Sequence, residues 1–179
     1  MRLESSDRHQ LRLHAIPKQA AQAIRKIGEI GWHPTFFLAA TTTSVSTVLK
    51  PAGLEYAKGI ITTYYMKDPN DPQWQNDKGV QDWKAFRKNY LPDGNIQDQS
   101  NVYGYTVAQA MVEVIRQCGD DLTRENIMKQ ATNLDLALPM LLPGIKVKTS
   151  PTDYFPIEAQ SLRRFNGEAW ELFGEVSGD

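Results

Sequence analysis

The sequence predicts an α/β fold: a parallel sheet flanked by helices, with a C-terminal β-hairpin. Three observations predict it. Residues 50–74 read as a helix end broken at Pro51 and Gly53, a compact β-rich run at 59–65, and a proline-punctuated acidic loop at 67–72. Helix, buried strand and polar loop in that order build open α/β sheets, which bind ligands beyond the carboxyl ends of their strands. Residues 35–39, TFFLA, are a second short apolar run of buried-strand type. Asn166-Gly167 separates the strand-like runs 161–165 and 169–173 and predicts a type I′ hairpin, whose two central residues need positive φ.

Each element has a local reason. Residues 1–14, MRLESSDRHQLRLH, are polar and mixed in charge, without an apolar stretch of secretory-signal type. Arg2, Arg8 and Arg12 suggest a transit peptide, but Glu4 and Asp7 oppose it, so an unstructured leader is predicted for 1–14. Pro17 opens a helix at a favoured first-turn position, and Ala20, Ala23, Ile24, Ile27 and Ile30 recur at helical spacing until Gly31. Residues 45–49 form one or two helical turns after the hydroxyl-rich loop Thr41-Thr42-Thr43-Ser44. Asp77 or Asn76 caps a helix over about 79–90, with Val80, Trp83, Phe86 and Tyr90 apolar. A turn follows at Pro92-Asp93-Gly94-Asn95. A longer helix over about 101–117 has Val107, Met111, Val114, Ile115 and Cys118 as its buried stripe. Thr123 caps the next helix, whose inner face is Ile127, Met128 and Ala131. Residues 141–144 read as a hinge-like connection and 145–148 as a strand.

Composition narrows the function. A chain of 179 residues, 41% hydrophobic and 23% charged, is long enough for one domain with a core. Lys and Arg total 20 against 21 Asp and Glu, so no basic excess exists to hold a nucleic acid. The lone Cys118 excludes an internal disulfide and a multi-cysteine metal cluster. No apolar run approaches the roughly 20 residues needed to span a bilayer.

The chemistry candidates are sparse. No serine sits in a G-x-S-x-G elbow, and Cys118 lies on an apolar helix stripe, so nucleophilic catalysis is not predicted. Asp68, Asp71 and Asp77 cluster near prolines without EF-hand spacing, so no metal site is predicted. Neither Walker A nor G-x-G-x-x-G occurs, and no cofactor is expected. Small-ligand binding fares better. Residues 15–19 enter a helix N-terminus, where free backbone N–H groups favour a carboxylate. The threonines of 41–44 follow a strand and offer hydroxyls, and Tyr64-Tyr65 offers an aromatic wall. A capping loop and a packed sheet edge explain the same residues without a ligand.

From about Ile16 to Gly178 the chain resembles the C-terminal part of periplasmic substrate-binding proteins of ABC transporters, of the branched-chain amino acid (leucine-binding, type I) kind. The matching stretches, in order, are PKQAAQAIRKIGEIGW, LKPAGLEYAKGI, KDPNDPQW, NVYGYTVAQAMVEV, QCGDDLTRENIMKQA, LLPGIKVKTSPTDYFPI and FNGEAWELFGEV. They look most like the branch taking up small organic acids as well as amino acids. The resemblance implies a partial type I periplasmic-binding-protein fold: pieces of two lobes over 15–179 that close on a ligand by hinge bending. Crossings between lobes are expected near 40–44 and 142–144.

The resemblance also assigns candidate ligand contacts. Gln19 falls where leucine-binding members place a glutamate for the ligand's ammonium, and the neutral side chain fits a ligand without a positive amine. Ile16 lies in the same loop, Thr42 and Thr43 in the hinge loop, and Tyr65 at the end of its strand. The family's first half, which grips the ligand carboxylate, has no counterpart here, nor has its signal peptide. Residues before Ile16 do not continue the family's apolar strand. The expectation is therefore a truncated solute-binding component, periplasmic by resemblance. Its partners would be a small-molecule ligand (an amino acid or small carboxylate) and an ABC permease. A non-functional remnant and, further off, an α/β enzyme are the alternatives. The sheet is too small to cover its helices, so the chain reads as part of a larger α/β protein or as one that borrows surface from a partner.

Overall fold

In the computed structural model, which describes residues 10–94 and 100–178, the chain divides into two units. One holds the described residues up to Tyr64 together with Ser161–Glu175; the other holds Tyr65–Gln160 with the last residues. The chain passes from unit to unit after Tyr64, Gln160 and Glu175, not at 40–44 or 142–144.

The first unit carries a five-stranded sheet in the order β1-β2-β3-β6-β7. Its strands are β1 (Gln10–Leu13), β2 (Thr35–Leu38), β3 (Ile61–Tyr64), β6 (Gln160–Phe165) and β7 (Trp170–Ser177). The first three are parallel, and β6 runs antiparallel to β3. β1 corrects the leader expectation: residues 10–13 pair with 35–38 in register, while 1–9 lie outside the described residues. Its sequence, QLRL, alternates polar and apolar, so only Leu11 and Leu13 turn toward the core. The signal is a half-polar strand rather than the apolar run of a two-sided one.

Helix α1 (Pro17–Glu29) connects β1 to β2, and Gly31 ends that connection at φ 67°. A 3-10 turn, Ala40–Thr42, and a π-helical turn, Val45–Leu49, follow β2, and the short helices α2 (Lys50–Ala52) and α3 (Leu54–Ala57) lead to β3. These helices contact one another as a layer. Ala20, Ile24, Val48, Leu49 and Ala57 bury against Phe36, Leu38, Ile60 and Phe165. The single layer packs on the sheet face that carries Leu11, Leu13, Phe36, Leu38 and Phe165.

The β6–β7 turn departs from the predicted type I′. Gly167 is at φ 111°, but among the described residues no non-glycine residue has positive φ. Asn166 instead folds the turn through its side chain, Oδ1 accepting from the N–H groups of Glu168 (2.8 Å) and Ala169 (2.9 Å). Asn95 of the other predicted turn lies outside the described residues.

In the second unit, α4 (Lys78–Tyr90), α5 (Ser100–Cys118) and α6 (Arg124–Ala131) accompany a two-stranded ribbon, β4 (Asp135–Leu136) with β5 (Val147–Lys148). Asp77 and Thr123 cap α4 and α6 as predicted. The segment read as a hinge is core. Met140, Leu141 and Leu142 are buried, and Leu141 bridges Met66. The N–H of Lys67 donates to Met140 O and that of Leu142 to Tyr65 O. Helix α5 buries Val102, Thr106, Val114 and Cys118, but leaves Val107, Met111 and Ile115 exposed. Period identifies an apolar stripe; it does not say that the chain supplies its cover. Met128 of α6 is likewise exposed.

Candidate functional site

The β1–α1 connection lies at the carboxyl end of the parallel strands, where open α/β sheets meet ligands. Ile16 holds the N-cap position of α1 in an extended conformation, without a side-chain cap. The first intrahelical bond is Ala20 N–H to Ile16 O at 3.0 Å. The N–H groups of Lys18 and Gln19 therefore lack helical acceptors, and the positive dipole end is not offset by any acid in the first turn. Ile16 and Gln19 are both exposed there.

The 3-10 turn Ala40–Thr42 leaves β2 at the same edge and contacts α1. Its threonines divide by role. Thr42 Oγ1 donates to Ala39 O (3.0 Å), and Thr43 Oγ1 donates to Ala40 O (2.9 Å) while accepting from Arg163 Nη2 (2.6 Å). Both residues are buried, so these hydroxyls shape the loop. Thr41 is exposed. It lines an open pocket of about 400 Å³ with Arg12, His14, Ala39, Thr62 and Thr63. Thr62 Oγ1 donates to Leu38 O at 2.7 Å, tying β3 to β2 where they meet the pocket.

Tyr65, the fifth expected contact, begins the second unit and is half-buried. Burial, then the neighbouring Tyr103, raises its pKa above the ordinary value of 10.0. Its hydroxyl stays protonated at neutral pH and can donate. The acidic loop is structural. Asp68 Oδ1 accepts from the N–H and side-chain amide of Asn70, and Asp71 caps a 3-10 turn by accepting from Gln73 N–H. Among the described residues no three His, Cys, Asp or Glu side chains are placed to hold a metal ion.

The structure thus brings Ile16, Gln19 and the Thr41–Thr43 loop to one edge of the first unit. Arg12 and His14, which sequence reasoning gave to the leader, join it. The alternation of residues 10–13 was the signal available for them.

An α/β unit that gathers exposed polar groups at the carboxyl edge of its parallel strands has the form of a ligand-binding protein. The periplasmic binding protein family profile matches residues 10–166, and the chain belongs to that family. The family comprises substrate-binding proteins rather than enzymes.

Solved structures agree on the fold. The chain is similar to a branched-chain amino acid ABC transporter protein from Thermus thermophilus with bound valine (TM-score 0.76, 15% identity), covering 95% of this chain and 46% of that one. It is also similar to a possible leucine/isoleucine/valine-binding protein from Rhodopirellula baltica (TM-score 0.71, 12% identity, 93% of this chain and 42% of that). A substrate-binding periplasmic protein from Ralstonia solanacearum gives a TM-score of 0.69 at 18% identity, over 93% of this chain and 46% of that. The chain therefore spans less than half the length of these structures. No curated protein matches it. Among the described residues, no helix is long and apolar enough to cross a membrane.

Proposed function

We propose that these 179 residues form part of the solute-capturing component of an ABC importer for small carboxylates or branched-chain amino acids, acting in the periplasm with a membrane permease. The carrying observation is the uncapped N-terminus of α1 beside the Thr41 turn. Its free N–H groups and dipole suit a carboxylate. In this reading Ile16 and Gln19 face the solute and Thr42 and Thr43 hold the loop that presents Thr41; Tyr65, in the second unit, is kept as a separate proposed ligand contact. Gln19 carries no charge to hold an ammonium group, which favours acids without an amine.

The family relationship and the partial coverage of the solved structures support reading the chain as a truncated form of such a protein. A partial site cannot enclose most of a ligand's surface, so affinity is weak. Thermal unfolding in the presence of leucine, valine, benzoate and short aliphatic acids tests this. At a ligand concentration twice a millimolar-range Kd, the acids stabilise the chain by about 0.6 kcal/mol, and the amino acids by less. The Gln19→Glu variant narrows or reverses that preference. Micromolar binding of leucine or valine, unaffected by position 19, contradicts the proposal.

A further inference from the structure

Strand β2 begins at Thr35 and β3 at Ile61, so the connections α1–β2 and α3–β3 meet at the sheet edge opposite the Thr41 turn. Between them lies an open cleft of about 170 Å³, lined by Trp32, Glu55, Tyr56 and Lys58 together with Gly28 and Ile60. All of these residues belong to the first unit.

Two glycines build one wall of the cleft. A Cβ on Gly28 of α1 would overlap Tyr56 Cδ1, and one on Gly53 would stand 2.9 Å from Tyr56 Cδ2. Only residues without a side chain admit the ring between α1 and the turn before α3. The ring is fixed there and stays exposed, and Trp32 brings a second exposed ring.

Two opposite charges accompany the rings. Glu55 and Lys58 are exposed, and neither forms an ion pair with the other or with any group among the described residues. They rest on different neighbours. A Cβ on Gly53 would stand 3.1 Å from Glu55 Oε1, whereas the Lys58 stem passes the β6–β7 turn, its Cδ 3.8 Å from a Cβ placed on Gly167. Helix α1 also ends at the cleft, through Ile27 and Gly28, and the negative end of its dipole favours a cation.

These groups select by charge and size. A cation meets Glu55, the helix end and two ring faces, but is opposed by Lys58. An acid meets Lys58 and is opposed by Glu55. A molecule carrying both charges satisfies both groups. At about 30 Å³ per water, the 170 Å³ cleft holds about five or six water-sized groups, the size of the smallest amino acids.

We propose that this cleft is a second ligand site, for a small zwitterion of the amino-acid type, separate from the solute edge. It does not depend on which solute that edge takes.

Alanine, β-alanine, propionate and ethylamine, titrated into the ¹⁵N-labelled 179-residue chain, test it. The solution is held at about pH 8, where His33 of the cleft is neutral. The two amino acids set their charges at different spacings. The better of them saturates the amide shifts of residues 32–34 and 55–60 at least about threefold more tightly than propionate or ethylamine. Glu55→Gln removes its advantage over propionate, and Lys58→Met removes its advantage over ethylamine. Gly28→Ala displaces the Tyr56 ring and weakens the amino acid by a similar factor. Unchanged amide positions at Arg163 and Trp170 verify that each variant is folded, and shifts at 14–19 and 39–43 report the solute edge separately. Three results overturn the proposal. One is an amino acid that binds no more tightly than propionate or ethylamine. Another is the lack of any saturable shift at 32–34 or 55–60 up to about 100 mM. The third is an amino-acid advantage that survives both Glu55→Gln and Lys58→Met in folded protein.

Discussion

Replacing Arg163 with alanine destabilises the first unit by about 3 kcal/mol. Arg163 is buried on β6, with its guanidinium carbon 3.7 Å from the Tyr64 ring centroid and 4.7 Å from that of Trp170. Its Nη2 donates to Thr43 Oγ1, and Trp170 Nε1 donates to the carbonyl of Thr43 at 2.9 Å. One side chain therefore links β3, β6, β7 and the loop after β2. A desolvated cation–aromatic contact contributes about 2 kcal/mol, and a hydrogen bond from a charged group about 1.5–3 kcal/mol. Burying the charge opposes both, which holds the net effect near the stated value. The Arg163→Met variant separates packing from charge. If the stacked cation matters, methionine recovers only part of the loss in urea unfolding. Full recovery means that Arg163 merely fills volume.

Removing the Asp77 carboxylate has the second largest expected effect, in the other unit. Lys67 Nζ lies 2.8 Å from Asp77 Oδ2, donates to Pro139 O at 2.8 Å, and sits 5.4 Å from the Trp74 ring centroid. Asp77 Oδ1 also caps α4 by accepting from Val80 N–H at 3.0 Å. Asp77→Ala loses the cap, about 1 kcal/mol, and strands a lysine whose side chain is 10% exposed. The expected total is about 3 kcal/mol, at the low end for a broken buried pair because Asp77 keeps some solvent contact. Asp77→Asn retains a capping side chain and loses only the charge, so it costs less.

The pH dependence follows. Burial pushes the Asp77 pKa up, but the Lys67 hydrogen bond, the Val80 N–H and the Lys67 charge together bring it below its ordinary 3.8. Below that ordinary value the unfolded chain binds the proton more readily than the folded one. The contribution is therefore complete above about pH 4 and lost as pH falls through the depressed folded value. Urea midpoints measured from pH 6 down to pH 3 should fall more steeply for the natural sequence than for Asp77→Asn. Parallel curves contradict the assignment.

Much of the fold is legible because local signals agree with tertiary ones. Pro17 and Gly31 bracket α1, Asp77 and Thr123 cap their helices, and 35–38 and 61–64 are strands because short β-rich runs beside helices have few other solutions. What escaped was set by neighbours. β1 carries Gln10 and Arg12 on a face that the described chain does not cover with a helix, so it lacks the apolar run expected of a buried parallel strand. The exposed stripe of α5 has the periodicity of a buried one, and only the fold shows what fails to cover it. The threonine loop shows the same limit within the site. Composition makes all its hydroxyls available, but packing commits those of Thr42 and Thr43 and leaves Thr41 facing the pocket.

The central claim is that the carboxyl edge of the first unit's parallel strands is the solute surface. Amide chemical-shift mapping of the 179-residue chain with benzoate and valine, each raised to about 10 mM, tests it most directly. The account predicts saturable shifts concentrated at residues 14–19 and 39–43, larger for benzoate. Saturable shifts centred on α5 or α6, with residues 14–19 and 39–43 unmoved, contradict it.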